Sequence, residues 1–347
     1  MSRIVVAGAG AMGASVAYHL ALRGARNVAL VDRGQIAGGS TAKAMGGVRQ
    51  QFATAEEVAL ARASLRFFEE LGPSHFLQVG YVFLATTEAG LAELEERMAL
   101  QGALGVAVER TQVPDGVETE DVVGAVACWS DGVADPPAVT RELVRRAVEL
   151  GVEVREETRA EDVPGETRVI ACGPWSAPVA AELAVDLPIR PLCRQLLETT
   201  PLDLPDGLPM VVEHETAFHF RRRCSRLVLA MPDPQPRWGF EESVDESLIP
   251  DRLARLRHRY PPAADARIER SWAGLYDMTP DAHPIVGEVR EGVYAACGFS
   301  GHGFMQSPAV GQALAELILE GASSFDLSPY RLDRFDAGAL FPEGVIL

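Results

Sequence analysis

Glycine occupies the first, third and sixth positions of Gly8-Ala9-Gly10-Ala11-Met12-Gly13, and Asp32 follows nineteen residues after Gly13. Residue types at this spacing can hold a dinucleotide. Gly8 allows a tight turn, Gly10 lets a pyrophosphate approach the backbone, and Gly13 lets a helix pack closely on a strand. Ala11 and Met12 open that helix, whose unpaired N–H groups and positive dipole end favour phosphates. Asp32, with Arg33 beside it, is placed to accept hydrogen bonds from a ribose diol.

The elements needed to position these groups are legible. Residues 3–7 read as a buried strand, 14–25 as a helix, and 27–31 as a second buried strand ending on Asp32. A nicotinamide fold would soon begin its next crossover helix. Here 34–49 is small, polar and glycine-punctuated, running through Ser40, Thr41, Lys43, Gly46 and Gly47 to Arg49. Such a stretch suits backbone lying against a flat or phosphorylated ligand.

Further helices are expected over 56–71, 88–104, 139–150 and 245–259, and a long one after Phe304 through 319. Strands are expected over 78–86, 152–154, 168–171, 268–276 and 293–297, with 111–126 as loop. Proline-rich, β-like runs over 187–231 suggest an antiparallel sheet. Strand–helix alternation at both ends of a β-rich insertion predicts an α/β protein with an α+β insertion. A Rossmann-like domain then surrounds an antiparallel-sheet substrate domain. His214 and His219 are five apart, so on one strand they would face opposite sides, which argues against a metal site between them.

Composition narrows the partners. A formal charge of −17 disfavours nucleic acid and anionic membranes, and no apolar run is long enough to span a bilayer. Lys43 is the only lysine, which confines lysine chemistry to its surroundings. The five cysteines form no C-x-x-C pair, as expected of reduced thiols in a cytoplasmic protein.

Several stretches together resemble one family, the flavin-dependent amine and amino-acid oxidoreductases related to D-amino-acid oxidase. They are 6–32, Gly46-Gly47-Val48-Arg49-Gln50-Gln51-Phe52, Ala171-Cys172-Gly173-Pro174-Trp175-Ser176, Trp272-Ala273-Gly274-Leu275-Tyr276 with Thr279-Pro280-Asp281, and Gly298 to Met305. The last of these is most similar to the β subunits of multimeric sarcosine oxidase and dye-linked proline dehydrogenase. The resemblance implies FAD. It places Gly301, His302, Gly303, Phe304 and Met305 at a helix start that stabilises negative charge on reduced flavin. Gly173, Trp175 and Val154 become further FAD contacts. The implied domains are 1–77, 132–186 and 265–347 for FAD, and 78–131 with 187–264 for substrate.

Departures from the family pattern matter equally. Gly274 stands where some members carry a flavin-linking cysteine, so FAD is expected to be noncovalent. Met305 and Phe52 replace cations that bind substrate carboxylate elsewhere in the family. The carboxylate then falls to Arg49 or to one of Arg221, Arg222 and Arg223, or the substrate is not a simple amino acid. Arg49, Tyr276 and His302 are the candidate catalytic residues.

The implied reaction is oxidation of a C–N bond in a small secondary or N-methyl amino acid. Hydride passes to flavin N5 and water hydrolyses the imine. The scarcity of lysine favours a dehydrogenase, with a partner subunit, dye or quinone as acceptor, over an oxidase. The alternatives are a 2-hydroxy-acid dehydrogenase of the same fold, or a flavin-binding subunit inactive without partners.

Overall fold

The computed structural model describes residues 3–340; the outermost residues of the first and last expected domain segments, 1–2 and 341–347, lie outside them. A six-stranded sheet carries the N-terminal motif. Its order is Ile285–Arg290, Val293–Cys297, Thr167–Ile170, Ile4–Ala7, Val28–Val31 and Glu153–Arg155. Five strands run parallel and Ile285–Arg290 adds an antiparallel edge. The central runs IVVA and VALV are wholly buried, as expected of a parallel sheet covered on both faces.

Helix Ala11–Leu22 follows the first strand and packs against both Gly303–Glu320 and Pro136–Glu149. It begins at Ala11, not at residue 14, because the chain enters the helical conformation directly after Gly10. Close packing has a specific cause. A Cβ on Gly13 would sit 1.8 Å from the Gly8 carbonyl oxygen, and one on Gly311 would sit 2.2 Å from Ser15 Oγ. Glycine at these positions lets helix meet strand, and helix meet helix, at backbone distance.

Pro308 lies inside the Gly303–Glu320 helix and cannot donate to the Phe304 carbonyl. Ser307 Oγ donates to that oxygen instead, at 2.9 Å.

The second large sheet has nine strands. Arg190–Thr199 pairs with Arg226–Ala230, Arg237–Trp238 and Ile268–Met278. The path continues through His219–Arg223, Met210–Glu213, Tyr81–Ala85, Gly124–Cys128 and Val108–Arg110. It is antiparallel except where Met210–Glu213 runs parallel to Tyr81–Ala85. Three short strands, Gly47–Val48, Phe76–Leu77 and Gly132–Ala134, make a third sheet.

Some sequence expectations differ from this arrangement. Strand Ile268–Met278, placed in the nucleotide-binding part, belongs to the nine-stranded sheet. Part of the expected 111–126 loop is the strand Gly124–Cys128. His214 and His219 do not share a strand, because a hairpin separates Met210–Glu213 from His219–Arg223.

Candidate active site

Two helix starts face one cavity of about 1010 Å³. Ala11–Leu22 begins after Gly10 and Gly303–Glu320 after His302, and in neither does the residue before the helix cap it with its own side chain. Each therefore presents unpaired N–H groups and a partial positive charge. Both follow the carboxyl ends of parallel strands, where ligands bind in open α/β sheets.

The first helix start is shaped by Gly8, whose φ is +99°. A Cβ there would lie 2.4 Å from the Ala171 carbonyl oxygen. The Ala11 N–H donates to Thr41 Oγ1 at 3.1 Å. Asp32 braces the same turn, accepting from the N–H of Ala9 and of Gly34, each at 2.7 Å. An ionised carboxylate has about four acceptor sites, so bracing leaves capacity for a ribose diol. Arg33 lies over the Trp175 ring at 4.8 Å, beside Gly173 on the cavity wall.

Segment Ser40–Lys43 is stitched to the substrate-side sheet. Ser40 Oγ donates to the Leu275 carbonyl at 2.8 Å, and Trp272 Nε1 donates to the Lys43 carbonyl at 3.0 Å. The Lys43 ammonium pairs with Glu242.

The second helix start is built from a left-handed turn. Gly298, Ser300 and Gly301 have φ of +77°, +52° and +103°. A Cβ on Gly301 would lie 2.6 Å from the Tyr276 ring, so that ring and the turn are in direct contact. Asp277 holds the turn, accepting from the Gly298 N–H at 2.7 Å. Burial pushes its pKa up to about 6.

His302 is buried against Phe52, with ring centroids 5.2 Å apart. Burial, and then the Arg49 guanidinium, press its pKa down to about 3. It is therefore neutral at physiological pH.

Of the candidate catalytic and cofactor-binding residues, Gly13, Val154 and Arg49 do not face the cavity; the others do. Gly13 lies beneath it, against Gly8. Val154 packs into the core, while the 158–161 turn forms the wall there. Arg49 is buried behind His302 and over Phe52. The Arg221–Arg223 run is also elsewhere. Arg221 donates to the Arg222 carbonyl, Arg222 pairs with Asp206, and Arg223 approaches Glu198.

Residues not singled out as site residues also line the cavity, among them Tyr81, Arg194 and His219. The Arg194 guanidinium lies 5.5 Å from the Tyr276 ring centroid. Its Nε is buried without a hydrogen-bond partner, and no carboxylate pairs with it among the described residues. His219 Nδ1 is 2.8 Å from the Ala217 carbonyl, and burial pushes its pKa down to about 4. No motif marks these residues; alternation along a strand was the available signal.

Two helix starts at one cavity, with glycine backbones that side chains would obstruct, fit a cofactor with a pyrophosphate and a second electron-rich pole. Comparison with known proteins agrees. The profile of the DAO family, FAD dependent oxidoreductase, matches residues 3–317. The chain belongs to this family.

Its FAD would be held by Gly8 to Met12, Asp32, Ser40 to Lys43, Gly173, Trp175 and the Gly301 to Met305 turn. The chain is 30% identical to the Bos taurus FAD-dependent oxidoreductase domain-containing protein 1, over 100% of this chain and 87% of that protein. It is 27% identical to 4-methylaminobutanoate oxidase (formaldehyde-forming) of Paenarthrobacter nicotinovorans, over 96% of this chain and 45% of that protein. L-proline dehydrogenase from P. horikoshii superposes with a TM-score of 0.91 at 26% identity, covering 98% of this chain and 99% of that one. Among the described residues, no helix is long and apolar enough to cross a membrane.

Proposed function

We propose that this FAD enzyme oxidises the C–N bond of a small secondary or N-methyl amino acid, with FAD held noncovalently. Arg194 carries the reading. It puts an uncompensated positive charge on the cavity wall beside Tyr276, where a substrate carboxylate would meet it. Relatives of both printed activities, on N-methyl and on cyclic secondary amines, support the amine class.

Bound FAD supplies the two-electron acceptor. The chain supplies binding, orientation and electrostatics. Arg194 holds the carboxylate and also disfavours an ammonium nearby, keeping the reacting amine neutral. Tyr276 offers a ring face against which the substrate is oriented. His302, neutral and fixed by Arg49, adds no charge to the helix start that favours an electron-rich pole. Met210 and Leu196 on the wall help exclude water.

Lys43 is engaged by Glu242, so no unpaired lysine ammonium is on hand to attract superoxide. This supports a dehydrogenase that passes electrons to a partner subunit, dye or quinone. The five free cysteines suit the cytoplasm.

The test is anaerobic addition of sarcosine, L-proline, glycine and a 2-hydroxy acid to the flavoprotein. A secondary amino acid should bleach the flavin, and a dye should restore the colour faster than air. Bleaching by the hydroxy acid alone overturns the reading. A flavin that no compound reduces assigns the chain to an assembly that works only with its partners.

A further inference from the structure

The chain between the Arg237–Trp238 strand and Asp245 is fixed at its ends and loosely held in the middle. At one end Trp238 and Arg237 pair with Leu192 and Cys193, and the Gly239 N–H donates to the Pro191 carbonyl at 2.9 Å. At the other, Gln195 brackets Asp245, donating to its carbonyl at 3.2 Å and accepting from its N–H at 2.8 Å. Val244 packs against Cys193, Ala273 and Leu275. Ser243 is held as well: its carbonyl accepts from the Arg237 guanidinium and from Cys193 Sγ. Between these anchors, Phe240 and Glu242 make contacts through their side chains. Phe240 stacks on Trp175, with centroids 6.3 Å apart and planes at 21°, yet remains 50% exposed. Glu242 pairs with Lys43.

Both contacted residues belong to the cavity wall. Trp175 lies over Gly39, 3.3 Å from the position of a Cβ there, and Lys43 lies over Gly274, where a Cβ would come within 2.9 Å. The middle of this segment thus joins two points of the wall on which FAD depends, using one ion pair and one aromatic stack.

We propose that residues 240–242 are a strap across the cofactor channel, latched by Lys43–Glu242 and Phe240–Trp175, which lifts for FAD to enter or leave. The inference rests on the FAD assignment and not on the substrate. The latch side chains are 29% and 24% exposed, so the ion pair is partly screened and breakable. The anchors at Gly239 and Ser243 confine the movement to residues 240–242.

The test compares the flavoprotein with Glu242→Gln and Phe240→Ala, following FAD uptake and release by flavin fluorescence. A latch that blocks the channel slows both directions. Each substitution should therefore speed uptake and release by the same factor, roughly three- to tenfold for contacts of this kind, with little change in Kd. Added salt should speed release in the parent and have no such effect in Glu242→Gln. Trp238→Ala, on the strand that anchors the segment but off the cavity, should leave both rates unchanged.

Faster release with unchanged uptake would mean that the segment binds FAD directly, overturning the latch. Slower release from Glu242→Gln would mean that Glu242 competes with FAD for Lys43, which also overturns it. Unchanged rates in both variants do so outright. Melting of each apoprotein, expected to match the parent, separates these outcomes from misfolding.

Discussion

The Nη2 of Arg49 lies 3.2 Å from Nε2 of His302, and both side chains are buried. Arginine can only donate, so Nε2 accepts and the neutral imidazole keeps its proton on Nδ1. Replacing Arg49 with Met removes a neighbouring positive charge. The His302 pKa should rise from about 3 but stay below its ordinary value, because burial is the larger cause. Ring nitrogen shifts followed against pH measure this directly; an unchanged titration would remove Arg49 from the account.

Arg194→Met should raise KM for a carboxylate substrate by about 10- to 100-fold, the usual loss for a charge-assisted hydrogen bond. The kcat at saturation should change far less. An amine lacking the carboxylate should be indifferent to the substitution, and Arg194→Lys should recover part of the loss.

Gly301→Ala places a Cβ against the Tyr276 ring at a φ of +103°. The strain, roughly 1–3 kcal/mol, falls on the cofactor turn and should weaken FAD binding measured by fluorescence quenching. Gly321 has a φ of +77° with nothing near its Cβ position, at the far end of the same helix. Gly321→Ala should lower thermal stability while leaving FAD affinity intact.

Burial also sets a pH dependence of stability. His19, which does not line the cavity, has its pKa pushed down to about 4, chiefly by burial. Between pH about 4 and 6.5 the unfolded chain binds the proton and the folded chain does not, so stability falls as pH drops through that window. The effect approaches about 3 kcal/mol at its lower end. His19→Gln should flatten this acid-side loss in denaturant titrations at pH 7 and pH 5. Asp277, raised to about 6, acts oppositely over part of the same range. The comparison must therefore be made between the two proteins at each pH.

The cofactor half was legible because its chemistry is written in adjacent residues. Gly8 to Gly13 and Gly298 to Met305 each act through a contiguous backbone; glycine spacing exposes the first, and the family resemblance marks the second. Arg49 was conspicuous for the same reason, yet its side chain turns away into the core behind His302. Arg194 was missed because its importance comes from register. It sits opposite Gly274 and diagonally across from Tyr276, on strands some eighty residues apart in sequence. The parallel pairing of Met210–Glu213 with Tyr81–Ala85 was equally hidden, since short β-like runs do not specify their partners.

Strand Ile268–Met278 ends in one large sheet, and Ile285–Arg290 begins in the other after only residues 279–284. That bridge is itself clamped: Thr279 Oγ1 donates to the His283 carbonyl at 2.7 Å, and Arg334 grips Asp281. The passage from one sheet to the other is thus a short braced joint and not a slack tether, so a change at Tyr276 on one side is only a few residues of held backbone away from the strand on the other.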